Sequence, residues 1–190
     1  MASSTKNSIS VSIIGGSGYT GAELMRIVSR HPHFKLVQVV ANRNAGKKIQ
    51  DIFPHLRHLN LPDFISFEKM IFEDVDLIFC ALPHATSQEI IIKIPEGIKI
   101  IDLSADFRLE KVEEYERWYG QKHVAPSLQE KAVYGLTEIY KKKIKEGSLI
   151  ACTGCNSAAT LYPILPLLNE GVIHDDNLIV NLGAGVSGAG

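Results

Sequence analysis

Apolar residues along the chain gather in short, nearly continuous runs separated by stretches with helical periodicity. Val11, Ile13 and Ile14 open the series, and "KLVQVVAN" (35–42), "VDLIFCALP" (75–83), "IKIIDLSA" (98–105) and "SLIACTG" (148–154) continue it. Runs apolar at consecutive positions mark strands buried on both faces of a sheet. Between the first two, residues 23–30 read as a helix with Ala22, Met25 and Val28 on one face, and 87–93 is also helix-compatible. Strands alternating with helices predict a doubly wound, mostly parallel α/β sheet joined by right-handed crossovers. From Cys155 the character changes. A helical stretch through Leu168 leads to "NLIVNLGAGVSGAG", read as a strand that runs into a glycine-rich loop. One helix and one strand cannot close a core, so the sequence reads as the start of a second α+β domain, cut mid-element.

The first junction carries the first chemical signal. In "VSIIGGSGYTGAELMRIVS" (11–29), Gly15, Gly18 and Gly21 recur at three-residue spacing, and Gly16, Gly18 and Gly21 satisfy G-x-G-x-x-G. A strand that turns at once into a helix leaves backbone N–H groups facing the turn. Glycine lets that backbone approach a pyrophosphate, and the helix N-terminus favours its negative charge. The motif in this context predicts dinucleotide binding.

Composition narrows the class. A chain of 190 residues with 45% hydrophobic residues supplies one full core and the beginning of another. A net charge of −1 gives no electrostatic reason to expect nucleic acid or a membrane surface as a partner. Lys141, Lys142, Lys143 and Lys145 form the basic run and read as a solvated helix end. No apolar stretch reaches the roughly 18 residues of a membrane span. The polar opening "MASSTKNS" reads as a disordered leader, and three cysteines, an odd number, speak against a disulfide framework. A reducing, cytoplasmic compartment is expected.

Open parallel sheets bind ligands beyond the carboxyl ends of their strands, so the strand-end loops are where chemistry belongs. The second strand ends in "ANRNAGKK", which lacks the acid that would hold a ribose 2′-hydroxyl and offers Asn42, Arg43, Asn44, Lys47 and Lys48 instead. Cations and amides suit a 2′-phosphate, so NADP is expected over NAD. In "LIACTGCNSAAT", Cys155 opens a helix, where the dipole and free amides favour a thiolate and can hold an oxyanion. Cys80 and Cys152 read as packing residues. Cys152 and Cys155 form a C-x-x-C, yet a thioredoxin-like motif belongs in a smaller fold, and a zinc site needs two more ligands. No metal is expected. "IDLSADFR" puts Asp102, Ser104 and Arg108 beyond another strand end, with Asp102 read as a loop-ordering residue and Arg108 as a fork for phosphate or carboxylate. His31, His33, His55, His58 and His174 read as surface residues. His84 and His123 lie nearer the crevice, and spacing singles out neither as a base.

The segments "GGSGYTGAEL", "LPHATSQE", "IDLSADFRL", "EYERWYG", "VYGLTEIY", "GC" (154–155) and "GVSGAG" occur in this order. Together they resemble the N-acetyl-γ-glutamyl-phosphate reductase family of arginine biosynthesis, over nearly the whole chain from Ser10. The resemblance implies a Rossmann-type domain, NADPH-dependent reductive dephosphorylation of an acyl phosphate, and a homo-oligomer. It also implies Cys155 as the residue that forms the thioester, and, by likeness to aspartate-semialdehyde dehydrogenases, Arg108 facing the acyl phosphate. The cofactor is expected against Gly15, Gly16, Ser17, Gly18, Tyr19, Thr20, Gly21, Asn42, Arg43, Leu82 and Pro83. The substrate is expected against Ser104, Arg108 and Asn156.

Two features depart from the family. Its usual Pro-Gly-Cys-Tyr-Pro is here Thr153, Gly154, Cys155, Asn156 and Ser157. That sequence resembles reductases of carrier-protein-bound aminoadipyl or glutamyl phosphate, which stay open as an alternative beside aspartyl phosphate. The family's catalytic histidine lies beyond "GVSGAG", so this chain alone is expected to be inactive, and a non-catalytic NADP-binding fragment stays open as well. The expected organisation is a leader over 1–8, an NADP-binding domain over 9–154, and the incomplete start of a catalytic domain over 155–190.

Overall fold

The computed structural model describes residues 8–189, so the leader expected over 1–8 lies, except for Ser8, outside the described residues. The chain runs β1 (Ile9–Ile14), α1 (Tyr19–Val28), β2 (Phe34–Val40), α2 (Ile49–Ile52), β3 (Phe64–Ile65), β4 (Leu77–Cys80) and α3 (Ser87–Ile91). It continues through β5 (Lys99–Asp102), α4 (Val112–Tyr119), α5 (Pro126–Gln129), β6 (Ala132–Gly135), α6 (Thr137–Glu146), β7 (Leu149–Cys152) and α7 (Cys155–Asn169). The strands form one seven-stranded sheet in the order β3-β2-β1-β4-β5-β7-β6, and every pair is parallel.

Neighbouring strand residues point to opposite faces, and the core follows that alternation. Ile13 and Val39 pack with Ala22 and Met25 of α1 on one face, while Ile14, Val40 and Ile78 pack with Ile91 of α3 and with Phe107 on the other. Helices on both faces make the sheet doubly wound. Met25, fully buried, contributes about 1.5–3 kcal/mol to this packing. β1 lies between β2 and β4, so the chain order reverses there and a crevice opens at its carboxyl end.

Sequence and structure differ at several elements, among them the two-residue strand β3, which no apolar run marks. α1 begins at Tyr19, before the expected 23, because Gly18 is extended and the helix starts immediately after it. The edge strand β6 joins β7 by four residues, three half-buried and Gly135 buried, too short a run for the run-based reading to find. The strand expected in "NLIVNLGAGVSGAG" does not form. Its apolar run pairs with no strand among the described residues and stays in water, with Ile179 96% exposed. A strand without a neighbour leaves its amides and carbonyls to solvent and gains nothing from being extended. Among the described residues, no helix is long and apolar enough to cross a membrane.

Candidate active site

The glycine turn is built by close approach. Gly15 and Gly16 donate their amides to the Val40 carbonyl at 3.0 and 2.9 Å, which draws the end of β1 over β2. Gly15 has φ +87°, and a Cβ there would lie 2.3 Å from the Ala81 carbonyl oxygen and 3.2 Å from Leu82 Cδ2. A Cβ on Gly21 would lie 2.6 Å from the backbone of Gly16, so α1 can sit this close to the turn only with hydrogen at that position. Gly18 differs: a Cβ there meets no protein atom within 4 Å. Its carbonyl accepts the first α1 bond, from Ala22 at 3.0 Å. The amides of Tyr19, Thr20 and Gly21 precede that bond and face the turn, as the first amides of any helix do. Ser17 is half-buried, and Gly18, Tyr19 and Thr20 are exposed. Open space over Gly18, with amides beneath it, fits a pyrophosphate.

Two loops flank this turn. After β2, Asn42 and Arg43 are exposed on a short 3-10 turn. The Asn42 side-chain oxygen accepts the Phe67 amide at 2.9 Å, while Lys47 donates to the Asn44 side chain at 3.1 Å. After β4, Leu82 packs against Gly15, and Pro83 is exposed beside it.

The parallel sheet brings the ends of β5 and β7 to the same edge as this turn, two and three strand spacings away, about 10 and 14 Å. Cys155 is the first residue of α7, exposed, with Gly154 as N-cap. Its thiol lies 3.9 Å from the Asn156 side-chain oxygen. At the end of β7 just before it, Arg108 donates from Nε to the Cys152 carbonyl at 2.7 Å and from Nη2 to the Leu103 carbonyl at 2.8 Å. The guanidinium thus ties the β5 and β7 ends together. A Cβ on Gly154 would come within 3.2 Å of Nη1, which leaves that nitrogen under the 153–155 turn. Cys152 is half-buried, and its thiol is pushed up to about 11, chiefly by burial and then by Asp102, against the pull of Arg108.

Ser104 is buried and engaged inside its own loop. Its hydroxyl donates to Asp102 Oδ2 at 2.6 Å and accepts the Asp106 amide at 3.1 Å. Asp102 also accepts the Ser87 hydroxyl at 2.7 Å and the Ser104 amide at 3.1 Å. Burial raises its carboxyl above the usual range, opposed by the Ser104 and Ser87 hydrogen bonds.

Several residues near the site were given no role by the sequence, although Tyr134, Thr137 and Glu138 lie in the "VYGLTEIY" segment. The Tyr134 hydroxyl meets Thr153 Oγ1 at 2.7 Å, just before the turn that carries Cys155. On α7, Tyr162 donates to the Glu138 carboxylate and lies 3.2 Å from the Thr137 hydroxyl, which docks α7 on the start of α6. An open cleft beside Cys155 is lined by Tyr134, Asn156, Ser157, Thr160, Leu161 and Leu182. No residue of α7 is buried, so Leu161, Ile164, Leu165, Leu167 and Leu168 all keep partial exposure. Among the described residues no group of three His, Cys, Asp or Glu side chains is placed to hold a metal.

With this geometry in view, comparisons with known proteins locate the chain. It is 52% identical over 180 residues to the N-acetyl-gamma-glutamyl-phosphate reductase of Rhodobacter capsulatus, covering 95% of this chain and 53% of that protein. The reductase of the same name from Roseobacter denitrificans is 50% identical over 181 residues, with 95% and 53% covered. The chain spans about half the length of the curated relatives it matches. In fold it is similar to the crystal structure of aspartate semialdehyde dehydrogenase with NADP from Candida albicans (TM-score 0.60, 18% identity, 86% of this chain and 47% of that one). Aspartate semialdehyde dehydrogenase II from Vibrio cholerae gives a TM-score of 0.61 at 14% identity, over 86% of this chain and 43% of that one. The family profile described as semialdehyde dehydrogenase, NAD binding domain, matches residues 10–147, and the chain belongs to that family.

Proposed function

We propose that this chain is the cofactor-binding and nucleophile-bearing part of an NADPH-dependent reductase that converts N-acetyl-γ-glutamyl phosphate to N-acetylglutamate semialdehyde. Residues 9–154 form its dinucleotide domain and 155–190 begin its catalytic one. The observation that carries the reading is an exposed cysteine opening α7 at the sheet edge that also holds the glycine turn, with Arg108 under the preceding residue, Gly154. Identity near 50% to proteins named for that substrate supports it over carrier-bound aminoadipyl phosphate or aspartyl phosphate.

The chemistry divides between the two halves of the edge. Cys155 attacks the γ-acyl carbon as thiolate, the acyl–oxygen bond breaks, and inorganic phosphate leaves. The α7 amides face the carbonyl oxygen as it gains charge, and Arg108 Nη1 faces the departing phosphate. Splitting acyl transfer from reduction replaces one difficult step with two easier ones. NADPH, when bound, supplies the hydride that takes the thioester to the aldehyde and returns the thiolate. The glycine turn holds the pyrophosphate, and Arg43 answers the 2′-phosphate. Ser104, with both hydroxyl contacts inside its loop, serves the site by shaping the loop that carries Arg108.

Acylation tests the reading on this chain. Incubation with N-acetyl-γ-glutamyl phosphate should release phosphate and add one N-acetylglutamyl group, mapped by mass spectrometry to Cys155 and absent in Cys155→Ser. Aspartyl phosphate and a carrier-bound aminoadipyl phosphate serve as competitors. Preferential acylation by either competitor, or an adduct on Cys152, would refute the assignment.

A further inference from the structure

We propose that Asp106 is a positioning residue for the cofactor, fixing the loop after β4 in the shape that walls one side of the dinucleotide crevice. The proposal rests on the dinucleotide reading of the glycine turn. Asp106 is fully buried, yet it touches neither the turn nor the nucleophile. Its carboxylate instead reaches the 82–88 segment. Oδ1 accepts the Ala85 amide at 2.6 Å and the Tyr115 hydroxyl at 3.0 Å, and Oδ2 accepts the Gln88 amide at 3.1 Å. The Tyr115 phenol, pushed up to about 12 by burial and by the neighbouring Asp106, stays a donor.

What this grip accomplishes is visible in the backbone. Ala85 has φ +66°, a left-handed conformation that a Cβ disfavours by roughly 1–2 kcal/mol. Two bonds to one carboxylate, a short one from Ala85 and a second from Gln88, hold the chain there. The residue three positions earlier, Leu82, is the one that packs against Gly15. An Ala85 that relaxed to an ordinary φ would swing Leu82 and Pro83 relative to the glycine turn. Asp106 is itself immobilised from every side. Its amide donates to Ser104 Oγ at 3.1 Å, and its carbonyl lies 3.1 Å from His123 Nε2. The His123 Nδ1 accepts the Ala125 amide at 3.2 Å, so Nε2 carries the proton and donates it to that carbonyl. The loop that orders the cofactor wall is therefore the loop that carries Arg108 to the nucleophile, two residues further on.

Asp106→Asn keeps the shape but leaves one acceptor oxygen, and turns an NH2 toward one of the two amides. NADPH affinity, read by nicotinamide fluorescence on the folded chain, should weaken about five- to thirtyfold, the range set by the left-handed preference it must no longer hold. Adding Ala85→Gly should restore affinity to within about threefold of the unmutated chain, because glycine takes positive φ without penalty. A role in stability alone would lower the melting temperature and leave affinity and rescue untouched. Unchanged affinity in folded Asp106→Asn, or a double variant as weak as the single one, would overturn the proposal while leaving the dinucleotide reading intact. Absence of NADPH binding by the unmutated chain would overturn both. Should Asp106→Asn fail to fold, Ala85→Val carries the test. It keeps Asp106 but resists the left-handed conformation, and parent affinity in that variant would equally overturn the proposal.

Discussion

Replacing Gly18 with alanine separates two reasons a glycine can occupy a phosphate turn: protein packing, or room for the ligand. The added methyl meets no protein atom within 4 Å, and φ −90°, ψ 174° is ordinary extended backbone. The unfolded chain loses freedom, which stabilises the fold by about 0.4–1 kcal/mol. Alanine is the poorer N-cap, by roughly 0.5–1 kcal/mol. The two nearly cancel, so the melting temperature should move by no more than about 2 °C. Gly15→Ala and Gly21→Ala behave differently. The first puts a side chain at φ +87° and 2.3 Å from a carbonyl oxygen, and the second drives a methyl to 2.6 Å from the Gly16 backbone. Each should lose at least about 2 kcal/mol, since overpacking against backbone outweighs the helix propensity that Gly21→Ala gains. Thermal unfolding and NADPH fluorescence titration on the three variants decide the matter. Gly18→Ala should melt with the unmutated chain yet bind NADPH at least about tenfold more weakly, about 1.4 kcal/mol. Parent affinity in Gly18→Ala would show that no phosphate lies over that position, and the dinucleotide assignment of the turn would fall.

Three further outcomes follow from the same geometry. NADPH should bind at least about tenfold tighter than NADH, and Arg43→Ala should remove most of the difference; equal affinities for the unmutated chain would refute the 2′-phosphate reading. With iodoacetamide at pH 8, Cys155 should label first, and Cys152, at about 11 against an ordinary 9.0, should react about a hundredfold more slowly than an unperturbed thiol, so equal rates at the two sites would contradict the burial argument. Asp102 is raised in the folded state, so its contribution to stability is present below the ordinary value of 3.8 and is lost as pH rises through the higher folded value. The urea midpoint of the unmutated chain relative to Asp102→Asn should therefore fall as pH rises from about 4, and a relative midpoint that rises instead would show the shift has the opposite sign.

The sequence discloses those parts of the site that depend on local physics. Glycine spacing after a β-branched run marks the turn because the constraint is steric and spans seven residues. Cys155 is legible because strand, glycine and helix follow one another in the chain. Elements specified by their neighbours are not legible in this way. β3 is two residues long and β6 four, and each is a strand because the edge of β2 or β7 lies beside it to pair with. The run at 178–182 has the right residues and no such neighbour. Asp106 is the sharpest case. In "IDLSADFR" it differs in no visible way from Asp102, and its bonds to Ala85 and Gln88 arise only when β4 and β5 pair.

The two cysteines of the C-x-x-C show how far three positions can separate identical side chains. Cys152 ends β7, where paired strands and the buried Asp102 raise its thiol, and its carbonyl is taken by Arg108 Nε. Gly154 then lets the chain pass over the guanidinium, because any Cβ would press on Nη1. Cys155 emerges one residue later, in water, with the first-turn amides of a fifteen-residue helix around it. A redox pair needs both sulfurs reactive, with one poised to attack the other. Here burial suppresses one thiolate, and the other sulfur stands exposed at the start of α7. The same Arg108 that ties β5 to β7 ends under Gly154, one residue before the exposed thiol, so the contacts that hold the sheet edge together also leave a cation near where a departing phosphate would need one. Disrupting the clamp, as in Arg108→Lys, should therefore loosen the β5–β7 edge and slow acylation of Cys155 together. A lysine can keep one of the two carbonyl bonds but cannot span both while presenting a third donor.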